Sequence, residues 1–272
     1  MNSSMQKYRA LISYVGTRYR GWQKQKGSGA SAGPSVQETI EKALARMTGE
    51  NVGVVGSGRT DSGVHAAGQV AHFVLQKRKW ETGVLHRGLN GILPQDIRVL
   101  EVTPAELDFH AQRSAVKKQY SYYFQQGPAA LPFLEPYAWW IKKTLDIRAM
   151  RKALRVLRGE HDFKSFQSSG ARPGPTVRRI IEAAVTREAV AFPAAAPALL
   201  ENLFFLVRIR VVGTGFLKQM VRGMAGTLLQ IGEGRRPPEC MKDILHSRSR
   251  KLVGPTAPGR ALWLEKVWYE DV

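Results

Sequence analysis

The sequence predicts an α+β protein made of two similar halves, each an antiparallel sheet carrying helices. Three observations point there. The 272 residues suffice for one large domain or two medium ones, with two the better first expectation. Hydrophobic periodicity orders the first half as strand, helix, strand, strand, helix, strand, and the second half follows a similar theme. A break near residues 104–115, opened by TPAEL, separates the two. The expected domains are residues 1–112 and 113–272, related by element order and not by residue identity.

The elements follow from local patterns. KYRALISY (7–14) alternates apolar and polar residues and reads as a strand. Ser35 opens S-V-Q-E, a helix-capping pattern with Glu38 at the right offset, so a helix runs to about Met47 and stops at Gly49. NVGVVGSG (51–58) and QVAHFVLQ (69–76) are strand-like and flank a glycine-rich connection. A helix around 82–92 and a strand IRVLEVT (97–103) complete an order typical of ferredoxin-like or RNA-recognition-motif-like sandwiches.

In the second half, VKKQYSYYF (116–124) is a strand, and DIRAMRKALRVLRG (146–159) is a helix with Ile147, Met150, Leu154 and Leu157 on one stripe. TVRRIIEAAVTRE (176–188) and NLFFLVRIRVVG (202–213) are strands. TGFLKQMVRGMAGTLLQIG (214–232) reads as one long helix, with Lys218 and Arg222 a turn apart and off its apolar stripe. ALWLEKVWYE (261–270) is a closing strand. Three loops of low complexity interrupt the pattern: KGSGASAGPS (26–35), SSGARPGPT (168–176) and AVAFPAAAPALLEN (189–202).

Charge bounds the partner. Forty-one Lys plus Arg against twenty-two Asp plus Glu give a formal net charge of +19, more than solubility requires, and the basic residues are spread along the chain. A folded basic surface of this kind serves a polyanion. A membrane is disfavoured because no apolar run approaches spanning length and MNSSMQKYRALIS lacks a secretory core, so the expected location is the cytoplasm. One cysteine, Cys240, excludes an intrachain disulfide and a cysteine-cluster zinc site. The histidines form no HxxxH or HExxH pair, so no metal centre is expected.

The segment GSGRTDSGVHA (56–66) concentrates the chemistry. Gly53 to Thr60 has the spacing of a phosphate-cradling loop, but Arg59 stands where that loop needs lysine, and the chain then runs toward a strand instead of the helix a phosphate site requires. A nucleotide cofactor is therefore not expected. An Asx-turn with a surface arginine would be the purely structural explanation. The alternative is chemical: in an extended segment Arg59 and Asp61 share one side, where a guanidinium can hold a carboxylate ionised for nucleophilic or electrostatic work.

GRTDSGVH closely resembles the GRTDAGVH signature of the tRNA pseudouridine synthase A family, with Ser62 in place of the usual alanine. YRGWQKQ (19–25), PSVQETIEKAL, DFHAQRSA (108–115), VKKQYSYYF, TVRRI, GFLKQMVRGMAGTLLQIG and GPTAPGRALWL resemble that family's further motifs, in the family's order and across the whole chain. The departures are Ser62, Gln112 where an arginine is usual, Gly223 where an asparagine is usual, and a shortened TAPGRAL.

The resemblance implies the pseudouridine synthase fold, with an active-site cleft between the two halves and no cofactor. It implies a tRNA substrate, modification of uridines 38, 39 and 40 in the anticodon stem-loop, and a homodimer. It assigns Asp61 as catalytic aspartate, with Arg59 and Arg222 beside it, and Tyr120 as the ring that stacks on the target uracil. Tyr122 and His65 are expected to be structural. Lys218, Arg20, Lys24, Arg172, Arg178 and Arg179 are candidate substrate or phosphate contacts. A carboxylate suits attack at the sugar, attack at the base, or support of a glycal route. A basic RNA-binding module without catalysis is the alternative from another class.

Overall fold

The alternation of KYRALISY does build a strand, β1 (Gln6–Tyr14), whose Tyr8, Ala10, Ile12 and Tyr14 are buried. The computed structural model describes residues 5–24, 33–168, 170, 173–190 and 203–270. The chain divides into two compact units, one of Met1–Lys118 with Trp263–Val272 and the other of Gln119–Leu262.

In the first unit Ser35 caps helix α1 (Val36–Thr48) as expected, its hydroxyl accepting from the Glu38 amide at 3.1 Å. The Glu38 carboxylate pairs with Lys42 at 3.0 Å, one turn on. The expected strand at 51–58 shrinks to β2 (Val55–Gly56). Its lost ladder bonds are replaced by side chains of α1: Glu41 accepts from the Val54 amide at 3.1 Å, and Gln37 donates to the Val54 carbonyl at 3.0 Å. Strand β3 (His65–Leu75) begins four residues earlier than its apolar run suggests.

Helix α2 (Thr82–Ile92) and strand β4 (Ile97–Ala105) follow, the strand continuing through Pro104 at its end. Proline is tolerated there because β4 is an edge strand. The sheet order of this unit is β4, β1, β3 and then the last strand of the chain, β10 (Leu262–Tyr269). Strand β1 is antiparallel to both β3 and β4, whereas β10 runs parallel to β3 with Trp263 opposite His65. Ile40, Leu44, Phe73, Leu75, Leu85 and Leu89 form much of this unit's core.

The first unit thus extends to Lys118 and takes back the C-terminal strand, whereas the expected division gave both stretches to the second half. The reason is that hydrophobic periodicity reports which residues of a strand are buried, not which sheet it joins.

The second unit holds β5 (Ala115–Gln126) from Gln119 onward, with a short parallel neighbour β6 (Trp139–Ile141) that no sequence pattern announced. Helix α3 (Ile147–Arg155) is capped by Asp146, whose carboxylate accepts from the Ala149 amide at 2.9 Å. The hairpin partners β7 (Gly159–Asp162), β8 (Val177–Ala189) and β9 (Phe205–Gly213) pair antiparallel in that order. Arg151 and Arg158 donate to the Val185 and Ala183 carbonyls of β8 at 2.8 and 2.9 Å.

Helix α4 (Met220–Gly232) is six residues shorter than the expected 214–232. Gln219 adopts φ 61, a left-handed conformation that ends the helical path, so Lys218 lies before the helix and not one helical turn from Arg222. Within α4 all but Arg222 and Gln230 are buried, and a short helix α5 (Cys240–Ser247) starts at Cys240. No helix among the described residues is long and apolar enough to cross a membrane.

Close approach to α4 makes one glycine irreplaceable. A Cβ at Gly226 would overlap the Pro255 carbonyl oxygen, so Gly226→Ala should destabilise by about 3 kcal/mol despite alanine's better helix propensity. Gly91 in α2 faces open space, and Gly91→Ala should stabilise by about 0.5–1 kcal/mol. Urea unfolding of both variants checks the opposite signs.

Candidate active site

GRTDSGVH leaves β2 and enters β3 through irregular backbone whose polar groups are held one by one. The Ser57 amide donates to the Val70 carbonyl at 2.7 Å and its hydroxyl to Gln69 Oε1 at 2.7 Å. The Gln69 amide group donates in turn to the Gly58 carbonyl at 2.9 Å, and the Lys118 ammonium donates to the Ser57 carbonyl. Ser57 and Gln69 are fully buried, so these bonds lie away from water, where an unmade one is expensive.

Thr60 turns inward and shares a hydrogen bond with the Tyr14 hydroxyl at 2.8 Å. Burial pushes the Tyr14 phenol up to about 12. Around this buried threonine, Arg59 is exposed and Asp61 is half-buried. The Asp61 carbonyl accepts from the Val64 amide at 3.1 Å, closing a tight turn with Gly63 at φ 77, a backbone conformation natural to glycine. The turn opens into β3 and not into a helix, which is unlike a phosphate-cradling loop.

The YRGW segment is the turn's other support. The Tyr19 carbonyl accepts from the Gly63 amide and from the Ser62 hydroxyl, each at 3.3 Å, so the departure at Ser62 adds an anchor. The Trp22 amide donates to the Thr60 carbonyl at 3.1 Å. Gly21, at φ 95, passes so close that a Cβ there would overlap the Thr60 carbonyl oxygen. Tyr19 is itself fixed by donating to Asp96 at 2.6 Å, and burial raises its phenol pKa. His65 is buried, accepts from the Gly16 amide at 3.0 Å and stacks on Trp263 at 4.5 Å, in keeping with a structural role.

DFHAQR is docked on the same unit by Lys7, which donates to the Leu107 and Phe109 carbonyls, and by His72, whose Nδ1 accepts from the Ala111 amide at 3.1 Å. Burial lowers the His72 pKa to about 4, keeping that ring neutral. Gln112 is exposed and makes its contact through its backbone, donating to His110 at 3.2 Å.

In the second unit Tyr120 is buried, its ring edge-on to Phe216 with centroids 5.0 Å apart. Tyr122 is fully buried and donates to the Pro258 carbonyl at 3.1 Å, as a structural tyrosine should. Arg222 is half-buried, and its Nε donates to the Ala257 carbonyl at 2.7 Å while the Ala257 amide returns a bond to the Arg222 carbonyl at 3.2 Å. Lys218 is exposed, and its carbonyl accepts from the Ser168 amide at 3.3 Å.

The remaining basic candidates differ in freedom. Arg178 spends one nitrogen on the Pro175 and Val177 carbonyls at 2.9 and 2.6 Å, while Arg179 is exposed. Lys24 is exposed with its ammonium 4.0 Å from Glu41, and Arg20 is half-buried. Arg172 lies outside the described residues. Among the described residues no three His, Cys, Asp or Glu side chains come together as a metal site.

Residues 10–112 and 153–270 match the model of a family described as tRNA pseudouridine synthase. The chain belongs to that family. Asp61, Arg178, Lys218 and Arg222 fall within the matched stretches, and Tyr120 falls between them. The relatives named tRNA pseudouridine synthase A include one from Sinorhizobium fredii, 38% identical over 268 residues, 97% of this chain and 100% of the relative. Another, from Syntrophotalea carbinolica, is 39% identical over 261 residues, 96% of this chain and 95% of its own. A third, from Streptococcus uberis, is 39% identical over 268 residues, 98% and 100% respectively. Members of this family are isomerases, and the similarity spans nearly the full length of this chain.

The supports beneath the family's signature were not evident from sequence. Tyr14 and Lys118 sit far from GRTDSGVH in sequence, and Gln69 lies just beyond it, within β3. The available clues were a glutamine at the start of an otherwise apolar run and a lysine ahead of the tyrosines of β5. Tyr14→Phe and Thr60→Val should each cost about 1–3 kcal/mol, because each leaves the other hydroxyl buried without this partner. The double variant should cost clearly less than the sum of the two, and a double-mutant cycle of denaturant unfolding measures the coupling.

Proposed function

We propose that this chain isomerises uridine to pseudouridine in tRNA with Asp61 as the catalytic carboxylate. The observation that carries the reading is the Asp61 turn itself. The Ser57 amide and carbonyl, the Gly58 carbonyl and the Thr60 carbonyl are each hydrogen-bonded, while Asp61 at the end of this tethered run is half-buried. Such preorganisation suits a group that must act in one orientation.

The reaction breaks the bond between C1′ and N1 of the target uridine, turns the base, and joins C1′ to C5. The C5 proton is released to solvent and N1 takes one up, so the change is an isomerisation without net redox chemistry. A carboxylate serves it by nucleophilic attack or by stabilising positive charge on the sugar. The base must leave its stack before a side chain can reach it. Arg59, exposed beside Asp61, is the candidate to take the vacated space, with Tyr120 as the ring against the uracil and Arg222 as a further active-site cation. Lys218, Arg20, Lys24, Arg172 and Arg178 would contact phosphates, in line with the net charge of +19. By resemblance the target uridines are 38, 39 and 40 of the anticodon stem-loop, the enzyme acts as a homodimer, and its place is the cytoplasm.

The test is release of tritium from a tRNA transcript labelled at uracil C5, with no added metal or nucleotide. Wild type should release the label, and Asp61→Asn should lose release by at least about 10³-fold while binding the transcript as before. Equal release by both proteins overturns the role of Asp61. Release by neither, from folded protein that binds the transcript, favours a non-catalytic RNA-binding module.

A further inference from the structure

The Lys118 ammonium is the charged member of the network under the Asp61 turn. It lies on β5 at the end of the first unit's N-terminal stretch, half-buried, and donates to the carbonyl of Ser57. The rest of Ser57 is already engaged, its amide by Val70 and its hydroxyl by Gln69, so the lysine completes the fixation of that residue. Four residues on from Ser57 the chain presents Asp61.

Burying an ammonium to satisfy one carbonyl is a poor way to gain stability. A cation taken from water costs more than a single hydrogen bond to a neutral acceptor returns, and a methionine would fill the same space without that cost. A residue that lowers stability while holding the backbone that leads to a reactive group is one expected to serve function. We propose that Lys118 is a positioning residue for catalysis, its ammonium clamping the Ser57 carbonyl and so holding the backbone from which Asp61 is presented. The inference rests on Asp61 being the catalytic carboxylate.

The other titratable groups around the network come from β10, β1 and the turn itself. Tyr269 comes from β10, lies against the Ser57 hydroxyl and donates to the Ala111 carbonyl at 2.7 Å, and burial raises its pKa. Arg9 of β1 stands over the Tyr269 ring at 4.8 Å. Tyr14 of β1 meets Thr60 and is pushed up to about 12. Arg59 and Asp61 belong to the turn itself. Lys118 differs from the tyrosines, because burial lowers its pKa to about 8. A neutral amine is a weaker donor than an ammonium, so the clamp loosens as pH rises through that value.

Stability runs the other way. The unfolded lysine stays protonated to about 10.5, so the unfolded state binds more protons between about 8 and 10.5 and the Lys118 contribution makes the fold more stable as pH rises there. A clamp built for function should therefore lose activity under conditions in which its own contribution to stability improves.

The experiment compares wild type, Lys118→Met, Lys118→Arg and Asp61→Asn by single-turnover tritium release at saturating labelled transcript, by transcript binding, and by thermal unfolding. In Lys118→Met the rate should fall by about 10–100-fold, with transcript affinity within about twofold and a melting temperature at pH 7 no lower than wild type. From pH 6.5 to 9.5 the wild-type rate should decline above about pH 8, and Lys118→Arg, which stays charged, should lack that decline. If the arginine does not fit and the variant fails to fold, Lys118→Met carries the same comparison, since it too should lack the limb. A wild-type rate in Lys118→Met, or the same decline in the variants as in wild type, overturns the inference. Activity retained by Asp61→Asn would instead sink the reading on which it rests.

Discussion

A glycine-rich run cannot cross the interior of a sheet edge unless each of its amides and carbonyls finds a partner, and that constraint governs the first unit of this protein. The run from Val52 to Thr60 makes only the two-residue strand β2, so the regular ladder meets little of its demand. The deficit is met by side chains from elements already fixed: Gln37 and Glu41 from α1, Gln69 from β3, Lys118 from β5. Gln69 is a polar residue at a fully buried place, and the other three are half-buried. Their common product is a turn whose position is set by α1, β1, β3 and β5 together, and it carries the carboxylate on which the proposed chemistry depends.

The second unit applies the same device with different parts. The segment from Val253 to Pro258 is irregular, and it is pinned against α4 by close backbone contact at Gly226, by the Thr227 hydroxyl accepting from the Gly254 amide at 3.0 Å, and by the reciprocal bonds of Arg222 and Ala257. Arg250 adds bonds to the Val253 and Gly254 carbonyls and to the Thr256 hydroxyl. The guanidinium of Arg222 is thereby oriented by a loop that α4 itself holds in place. In the first unit Asp61 projects from backbone that is neither helix nor strand, whereas in the second Arg222 projects from α4 and Tyr120 from β5, and the irregular segment is the one that holds the Arg222 side chain.

This has a bearing on the charge. A net +19 invites the view that the cations await a polyanion, yet many are spent inside the fold. Arg98, Arg151, Arg158, Arg178 and Arg250 all donate to backbone carbonyls of their own unit. An arginine fork satisfies carbonyls where the ladder ends or irregular backbone begins, so a large basic count reflects structural work as well as RNA affinity. Arg59, Arg179 and Lys218, by contrast, are exposed.

By itself the sequence determined the α+β class, most helix and strand positions, and the family. Capping at Ser35, the alternation of β1 and the glycine stops act over a few residues, and the signature GRTDSGVH is contiguous. It did not determine that β10 returns to the first unit, that Gln219 ends the path toward α4, or that Pro104 continues an edge strand. These depend on which strands pair and on where a backbone group finds its partner, and no local period encodes either. The site divides in the same way. Asp61, Arg59 and Arg222 are candidates on local motifs alone, whereas the bond of Lys118 to Ser57, 61 positions away, exists only once β5 and the turn are folded together.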